Sequence, residues 1–338
     1  SIFAFILVVI VLAKLIIPIK PIFGYVIPVV SFVVLLSLLL NWQIGMLAAS
    51  ILPVFYGIAA DSSFELMVIQ FIASLVGLFA LRKVYSMKKF ITASVYIFFA
   101  VLVTSLSFHL IANAMSWEKL AQFVIISFVH ALVAIILIYS GLAFLGHVLK
   151  ITTFLKLQEL ASPLNPLLRE LSLKAPGTYQ HSMIVGNLAE EAALQVDADP
   201  LFCKVASFYH DVGKLYQPEI FFENNPNEEK LDDQHSLKKS ASMIIKHVEE
   251  GVDLAKKYNL PEEIIRVIQS HQGTARASYF YNVIEESSKK RVNENDFKYH
   301  GPKPKTKEEA IIMLADSAEA SMRSRQGSAI KETIGEIV

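Results

Sequence analysis

Long apolar runs fill the first 150 residues, and they constrain the fold more than any other feature. A helix needs about 20 apolar residues to cross a bilayer, and a backbone in lipid must satisfy its own hydrogen bonds. The pattern therefore predicts a transmembrane domain of about six helices over residues 1–150. It starts without a charged segment or a cleavage site, which is typical of an N-terminally truncated chain rather than a signal peptide. The runs cover residues 1–19, 22–40, 42–60, 64–82, 90–113 and 120–149.

Charged residues divide the chain into two unlike parts. Of the 31 Lys or Arg only eight lie in residues 1–150, and of the 31 Asp or Glu only three do. The net charge of zero is therefore the sum of a basic apolar half and a mildly acidic half. It does not favour a nucleic-acid polymer as a partner.

Basic residues between the apolar runs predict the orientation of the chain. The most basic loop spans residues 82–89, and Lys150 follows the sixth run. Lys and Arg accumulate on the cytoplasmic side, and two predicted helices separate these positions, so both indicate the same side. We therefore expect residues 151–338 in the cytoplasm and the lipid bilayer as a partner of the first half.

Three histidines, His109, His130 and His147, lie within the apolar runs. Ionisable residues at membrane depth can mark a proton or ion path, which makes a transporter one interpretation. The same runs contain no acid to pair with them and no internal repeat. His109 and His147 also lie near run ends, where an interfacial role is the simpler interpretation.

An imidazole and a carboxylate stand side by side at His210 and Asp211. They end an apolar stretch, 201–208, that predicts a buried helix. Burying a carboxylate without a partner is costly, and a metal ion would satisfy both groups. The only cysteine, Cys203, lies in this stretch and excludes an internal disulfide. We interpret it as a small core residue.

Four further predicted helices carry residues of the types that bind metals. His181, His247 and His271 each lie beside apolar positions of helical spacing, and Asp316 follows five apolar residues, 311–315. Singly, each histidine has a simpler interpretation as a satisfied polar residue, and Asp316 as the partner of a nearby arginine. Together with the histidine-aspartate pair they predict one metal centre assembled from several helices.

An amphipathic connector, residues 151–175, joins the two parts. Its leucines recur at helical spacing, and Pro163 and Pro166 divide it into at least two pieces. Either it packs on a neighbouring helix or a second subunit, as in a homodimer, or it couples the membrane domain to the site. Helical patterns and capping signals continue over residues 176–338, which predicts an all-α domain.

The order H…HD…D formed by the site residues resembles the HD superfamily of metal-dependent phosphohydrolases. Longer segments resemble the PgpH-type membrane HD-domain family, whose members are bacterial cyclic di-AMP phosphodiesterases. The resemblance covers nearly the whole chain. It implies an all-α fold, a polytopic transmembrane helical bundle followed by a cytoplasmic HD domain, in a bacterial inner membrane. The matching segments are residues 175–182, 187–190, 222–224, 270–274, 301–304 and 315–317.

The resemblance also implies a site for two divalent metal ions. Mixed histidine and carboxylate ligands suit iron or manganese, with zinc as an alternative. Two such ions can share a hydroxide that attacks phosphorus. One ion would be held by His181, His210, Asp211 and Asp316, and the other by His247 and His271, with Asp211 as the bridge.

Roles in catalysis and substrate binding follow from the same resemblance. Asp211 and Lys214 are the candidate catalytic residues, and Lys214 and Arg323 are the candidates for binding substrate phosphate. For Lys214 the alternative is an ordinary surface lysine. Arg323 lies two turns beyond Asp316 on the last predicted helix.

The chain departs from the family pattern in three places. Gln180 precedes His181 and Gln272 follows His271, where family members usually have two adjacent histidines. Residues 225–235 also fit the family poorly. If the missing histidines assist substrate or metal binding, the activity would be weaker.

The function implied is that of a membrane-bound hydrolase, a metal-dependent phosphodiesterase that converts cyclic di-AMP to linear pApA. HD proteins that cleave cyclic di-GMP usually carry a second His-His-Glu motif followed by Gly-Tyr-Pro, and residues 270–274 lack it. The alternative is a membrane receptor whose HD domain binds a cyclic dinucleotide as a sensor without turnover. All six ligand residues are retained, which favours the enzyme.

Overall fold

A computed structural model of the chain describes residues 2–19, 21–82, 84, 86–112, 116–225, 234–287 and 293–337. Within these residues the fold is all-α, as the sequence predicts. The one β-type pairing found there is an isolated antiparallel bridge between Arg276 and Lys298. The chain divides into two compact units, Ser1–Leu155 and Lys156–Val338.

In the described part of the first unit there are six α-helices. Four apolar segments are long enough to cross a membrane: one covering Ile22–Leu39, and three more that correspond to the third, fifth and sixth helices. The first and fourth helices contain shorter apolar stretches. The helices are α1 (Ile2–Ile16), α2 (Val29–Leu39), α3 (Trp42–Ala59), α4 (Phe64–Ala80), α5 (Met87–Ile111) and α6 (Trp117–Leu149).

The second apolar run, residues 22–40, is not α-helical along its whole length. It begins as a 3₁₀ segment, Pro21–Tyr25, and becomes α-helical only at Val29. Pro28 lies directly before α2, and a proline has no N–H to continue a helical hydrogen-bond ladder. The interruption therefore leaves backbone groups that need other partners.

Side chains from α4 and α6 satisfy the backbone at this interruption. Gln70 donates to the carbonyl of Ile27 at 2.8 Å and accepts from the amide of Val29 at 3.2 Å. Nδ1 of His130 lies 2.8 Å from the carbonyl oxygen of Tyr25. Irregular backbone at membrane depth is tolerated only where protein groups complete its hydrogen bonds.

Eight α-helices lie between Phe154 and Ile337 in the described residues, and five of them carry the predicted site residues or end beside them. α9 packs against α10 and α14, and α12 packs against α11 and α14. Pro163 and Asn165 lie in the gap between the two connector helices. The helices are α7 (Phe154–Leu160), α8 (Pro166–Lys174), α9 (Pro176–Gln195), α10 (Pro200–Tyr209), α11 (Gln234–Lys257), α12 (Glu262–Ser270), α13 (Ser278–Ser287) and α14 (Lys307–Ile337).

Capping side chains place the ends of two helices that carry the site. The Asp199 carboxylate accepts from the amide of Phe202 at 3.0 Å, so α10 starts there and ends just before the histidine-aspartate pair. The Thr306 hydroxyl accepts from the amide of Glu309 at 3.2 Å, as the predicted capping box requires. The Glu309 carboxylate, however, accepts from the amide of Lys305 at 2.7 Å rather than from that of Thr306.

Two glycines allow backbone segments to approach each other beside the site. A Cβ on Gly213 would lie 1.8 Å from the carbonyl oxygen of His247, so only glycine lets α11 pack on the turn after Asp211. A Cβ on Gly177 would lie 1.9 Å from the carbonyl oxygen of Glu223. Both contacts bring site residues together from distant parts of the chain.

Candidate metal centre

The structure brings together all six side chains that the sequence analysis proposes as metal ligands. Every one of them is buried, with at most 8% of its surface exposed. They come from five helices or helix ends. His181 lies on α9, His210 and Asp211 follow α10, His247 lies on α11, His271 follows α12 and Asp316 lies on α14.

The two oxygens of the Asp211 carboxylate face different pairs of histidines. Oδ2 lies 3.2 Å from Nε2 of His210 and 3.6 Å from Nε2 of His181. Oδ1 lies 3.2 Å from Nε2 of His247 and 3.4 Å from Nε2 of His271. Asp211 is thus at the midpoint of the cluster, with two imidazoles on each side.

The Asp316 carboxylate lies beside the first histidine pair, His181 and His210. Its Oδ1 lies 3.0 Å from Nε2 of His181 and 3.7 Å from Nε2 of His210. Its Oδ2 accepts a hydrogen bond of 3.0 Å from the amide of Gln272. Arg323, one of the arginines considered as its partner, instead pairs with Glu319.

Hydrogen bonds at Nδ1 orient three of the four imidazole rings. Each ring donates to the backbone carbonyl three residues earlier, at the end of its own helical turn. Because a carbonyl only accepts, Nδ1 carries a proton, and Nε2 presents a lone pair whenever the ring is neutral. The distances are 2.7 Å from His210 to Ser207, 2.5 Å from His247 to Ile244 and 2.8 Å from His271 to Ile268.

His181 is oriented by a carboxylate instead of a carbonyl. Its Nδ1 lies 2.6 Å from Oε2 of Glu319, which is buried on α14. Metal-bound histidines commonly donate their second N–H to such a carboxylate, which fixes the tautomer and raises ligand basicity. The sequence analysis missed Glu319. Its position three residues after Asp316, on the same helix face, is a signal that could have identified it.

These proton positions leave unprotonated acceptors facing one another. Nε2 of His247 and Nε2 of His271 are 3.2 Å apart. Among the described residues, Nε2 of His210 and Oδ1 of Asp211 have no hydrogen-bond partner, although both atoms are buried. Lone pairs this close repel each other unless a cation lies between them. The ligand atoms form three overlapping groups with all separations within 4.8 Å, so the residues present fit a metal.

Electrostatics keeps the carboxylates of the cluster ionised. Burial alone would raise the pKa of Asp211, but His210 and Lys214 hold it well below its usual range. The pKa of Asp316 is lowered against burial by its contacts with His181 and His210. In turn, although burial opposes the charge, the two carboxylates raise the pKa of His210 to about 10. A metal that binds here must therefore displace a proton.

Lys214 is a largely buried member of the cluster, with 13% of its side chain exposed, rather than an ordinary surface lysine. Its Nζ lies 2.8 Å from Oδ2 of Asp211 and 2.6 Å from Oε1 of Glu223, and 4.9 Å above the ring of Phe221. Burial would lower its pKa, but the two carboxylates raise it above the ordinary value for lysine. The ammonium group therefore keeps its proton.

Glu223 is held in place by the first turn of α9. The Thr178 hydroxyl donates to Oε1 of Glu223 at 3.2 Å, and the Thr178 amide donates to Oδ1 of Asn224 at 3.0 Å. This explains why residues 222–224 form one of the motifs singled out in the sequence. Of the poorly matching stretch 225–235, residues 226–233 lie outside the described residues.

A cavity of about 530 Å³ opens onto the cluster. Both residues that the sequence analysis proposes for phosphate binding, Lys214 and Arg323, lie on its wall, as do Phe222 and Tyr299. Cys203 does not take part, because it is fully buried in the core and burial raises the pKa of its thiol to about 12.

Comparison with protein families accounts for both units of the chain. Residues 1–153 match the family described as a 7TM receptor with intracellular HD hydrolase, and residues 178–321 match the HD domain family. Each of the two family models thus matches one part of the chain, and the resemblance seen in the sequence is confirmed. With a 7TM-receptor-type part and four apolar segments of membrane-spanning length, the chain is a membrane protein, and its second unit has the metal-dependent hydrolase fold.

Two curated relatives of this chain are named cyclic-di-AMP phosphodiesterase PgpH. The Bacillus subtilis (strain 168) protein is 32% identical over 308 residues, which cover 89% of this chain and 43% of the relative. The Listeria monocytogenes (strain 10403S) protein is 43% identical over 169 residues, which cover 50% of this chain and 23% of the relative. The chain thus spans less than half the length of these relatives.

A solved structure, the L. monocytogenes PgpH HD domain in complex with cyclic-di-AMP, is also similar to the second part of this chain. It has 42% sequence identity and a TM-score of 0.46, and the match covers 48% of this chain and 76% of the solved one.

Proposed function

We propose that this protein is a membrane-bound, metal-dependent phosphodiesterase that hydrolyses cyclic di-AMP to linear pApA. The observation that carries the proposal is the division of Asp211, whose two oxygens face separate histidine pairs at 3.2 to 3.6 Å. A carboxylate flanked in this way is suited to bridge two cations. Two cations a few ångströms apart are a recurrent device for cleaving phosphodiesters.

Two divalent metal ions are the proposed cofactors, iron or manganese, with zinc as an alternative. The mixed imidazole and carboxylate set supports these metals. When bound, such ions supply a nucleophilic water and neutralise charge on the departing oxygen. His181, His210 and Asp316 would hold one ion with Oδ2 of Asp211, and His247 and His271 would hold the other with Oδ1.

Lys214 and Arg323 are proposed to bind the substrate phosphate. Lys214 has three N–H donors, and its two carboxylate partners engage two of them. Arg323 pairs with Glu319 but has five donors in all, so others remain for a phosphate oxygen. We assign Lys214 to charge stabilisation only, because a lysine shared by two carboxylates does not give up its proton easily.

Cyclic di-AMP as substrate is supported by the names of both curated relatives and by the size of the available space. A second cavity of about 440 Å³ adjoins the first, and both have Gln272 and Tyr299 on their walls. Ile245, Val248 and Val252 give the second cavity an apolar surface suited to a nucleobase. Two adjoining cavities fit a ligand larger than a mononucleotide.

The proposed setting is a bacterial inner membrane, with residues 1–150 in the bilayer and the HD domain, residues 176–338, in the cytoplasm. The basic stretch 82–89 supports this orientation. The connector, residues 151–175, is a candidate contact between two copies in a homodimer.

The experiment is to incubate the purified chain in nanodiscs with cyclic di-AMP or cyclic di-GMP, with Mn²⁺, Fe²⁺ or chelator, and to resolve the products by chromatography. We expect linear pApA only when metal is present. Asp211→Ala should bring turnover below detection, because it removes the ligand that serves both metals. Glu191→Ala, which removes an exposed carboxylate on α9 away from both cavities, is the control. Substantial metal-dependent turnover by Asp211→Ala would contradict the proposal.

The alternative function, a receptor that binds the dinucleotide without turnover, is favoured by one observation. Gln272 stands where family members usually have a histidine, and its amide occupies one oxygen of Asp316. Tight binding of cyclic di-AMP without cleavage of either dinucleotide would support it. Gln180→His and Gln272→His would then be the first variants to test for restored turnover.

A further inference from the structure

The cavity over the metal centre contains a tyrosine that the sequence analysis did not single out. Tyr299 follows the last 3₁₀ segment before α14 and lies on the cavity wall together with Lys214 and Asp316. Its ring stands edge-on to that of His247, with centroids 5.9 Å apart and planes at 79°. The phenol is therefore next to one of the proposed metal ligands.

Backbone hydrogen bonds hold this tyrosine in place. The amide of Tyr299 donates to the carbonyl of Ala275 at 2.9 Å, and the amide of Ala277 donates to the carbonyl of Phe297 at 2.8 Å. Phe297 is completely buried and anchors the segment. These bonds tie the segment 297–299 to the chain that leaves α12, the helix that ends at a proposed ligand.

Each of the other side-chain donors on the cavity wall bonds a protein group or cannot release a proton. A group that donates a proton to a reacting atom must be able to leave its present partner and must be able to release a proton. An arginine does not release its proton in proteins, and a glutamine amide is not acidic. Nδ1 of His181 bonds Glu319, Nδ1 of His247 bonds Ile244, Lys214 bonds two carboxylates, Gln272 bonds Asp316, Ser317 bonds Met313 and Arg323 bonds Glu319.

The Tyr299 hydroxyl differs from these donors in its hydrogen bonding. Among the described residues it makes no hydrogen bond, although it belongs to the wall of the cavity. Burial raises the pKa of the Tyr299 phenol above its usual value, so the hydroxyl keeps its proton, and the nearby charges of Lys214, Asp211 and Asp316 also act on it. It is thus a protonated donor on the cavity wall that has no hydrogen-bond partner among the described residues.

We propose that Tyr299 is a catalytic residue that donates its phenolic proton to the leaving oxygen of the phosphodiester. This role rests on the proposed hydrolysis. The oxygen of a water molecule bonds to phosphorus, the bond from phosphorus to O3′ of the ribose breaks, and O3′ takes the proton of Tyr299. The tyrosinate then regains a proton from the solvent, and the attacking water loses a proton to the solvent. The net change is the addition of one water.

The reaction needs such a donor because a ribose alkoxide is a poor leaving group. General acids that protonate a leaving group typically accelerate a reaction about 10²–10⁴-fold. An aryl leaving group such as 4-nitrophenolate departs without a proton. The dependence on the leaving group therefore separates proton donation from any other contribution of the tyrosine.

The test compares Tyr299→Phe with the wild type on two substrates, cyclic di-AMP and bis(4-nitrophenyl) phosphate. The variant removes only the hydroxyl. We expect kcat on cyclic di-AMP to fall about 10²-fold or more, with little change on the aryl substrate and with the metal content unchanged. Tyr279→Phe, the same change at an exposed position of α13, should leave both activities as in the wild type.

Three results would overturn the role. Equal losses on both substrates would mean that Tyr299 acts on binding or on the phosphoryl oxygens. Unchanged activity on both substrates would mean that Tyr299 makes no contribution. Loss of metal from the folded variant would mean that its contribution is structural. Failure of the proposed function is a separate result. If the wild type cleaves the aryl substrate but not cyclic di-AMP, the proposed substrate is wrong and the proton donation to O3′ falls with it.

Discussion

The membrane domain and the metal centre both bury histidines, but the two regions use the ring nitrogens differently. In the membrane domain, Nδ1 of His130 bonds a carbonyl that an interrupted segment leaves free. In the metal centre, Nδ1 of His210 and of His247 bonds the end of the ring's own helix, and Nε2 faces other acceptors. The His130 imidazole completes the hydrogen bonding of the backbone, whereas the imidazoles of the second unit converge on a candidate cation site.

The difference teaches that an unpartnered nitrogen identifies a ligand site only when other acceptors converge on it. Nε2 of His130 is also buried without a partner among the described residues. The groups of metal-ligand type found in those residues nevertheless all lie in the second unit, around Asp211 and Asp316. Convergence, rather than burial alone, separates the two regions.

Glu319→Gln tests the largest of the effects that this comparison predicts. The amide keeps the shape of the side chain but removes the charge beside Nδ1 of His181, the one ring oriented by a carboxylate. We expect metal affinity to fall about 10- to 100-fold, as is typical when such a partner is lost. Competition with a chromophoric chelator measures it, with exposed Glu191→Gln on α9 as the control. Unchanged affinity would show that a carbonyl partner and a carboxylate partner are equivalent here.

The pH dependence of metal affinity also tests the role of the ring nitrogens in the candidate metal centre. Because the carboxylates raise the pKa of His210 to about 10, its ring carries a proton at neutral pH before a metal binds. Metal binding releases this proton, so affinity should rise with pH, about tenfold per unit below pH 10. The chelator competition repeated at pH 6, 7 and 8 measures the slope. A flat profile would mean that no ligand proton is displaced.

Removal of the polar groups at the membrane interruption should have the smallest effect, and on stability alone. Gln70→Leu leaves the carbonyl of Ile27 and the amide of Val29 without their partner. We expect a loss of about 1–2 kcal/mol in the free energy of unfolding in detergent, with metal content unchanged. His130→Leu should behave alike, and Ser140→Ala, an exposed change on α6, should be neutral. Loss of metal from His130→Leu would contradict the distinction between the histidine of the membrane domain and those of the metal centre.

Much of the fold and of the site could be predicted from short stretches of sequence. Apolar length indicates the membrane segments, and Asp199 and Thr306 indicate helix starts because a cap bonds backbone within three residues. The six proposed ligands could be named because each ends or interrupts an apolar helical pattern. Their function as ligands stays a prediction, whereas their convergence is seen in the structure.

Residues that act through contacts with distant segments could not be predicted in this way. No acid lies in the apolar runs that carry the membrane histidines, yet Glu65 from the start of α4 reaches His109 at 3.5 Å and accepts from the hydroxyl of Tyr25 at 2.8 Å. Glu319 and Tyr299 were missed for the same reason. The spacing of Glu319 from Asp316 is visible in the sequence but its bond to His181 is not, and Tyr299 has no local pattern that distinguishes it from a surface residue.

The sequence by itself determined the all-α class, the apolar and polar halves and the identity of the proposed ligand residues, because periodicity, apolar length and capping are properties of neighbouring residues. Only the tertiary structure decided that Asp211 divides its oxygens between two histidine pairs, that Lys214 is shared by two carboxylates and that Tyr299 keeps its proton uncommitted. Those facts depend on distances of a few ångströms between helices far apart in the chain. Packing sets these distances, and here it includes the contact of Gly213 with the backbone of His247.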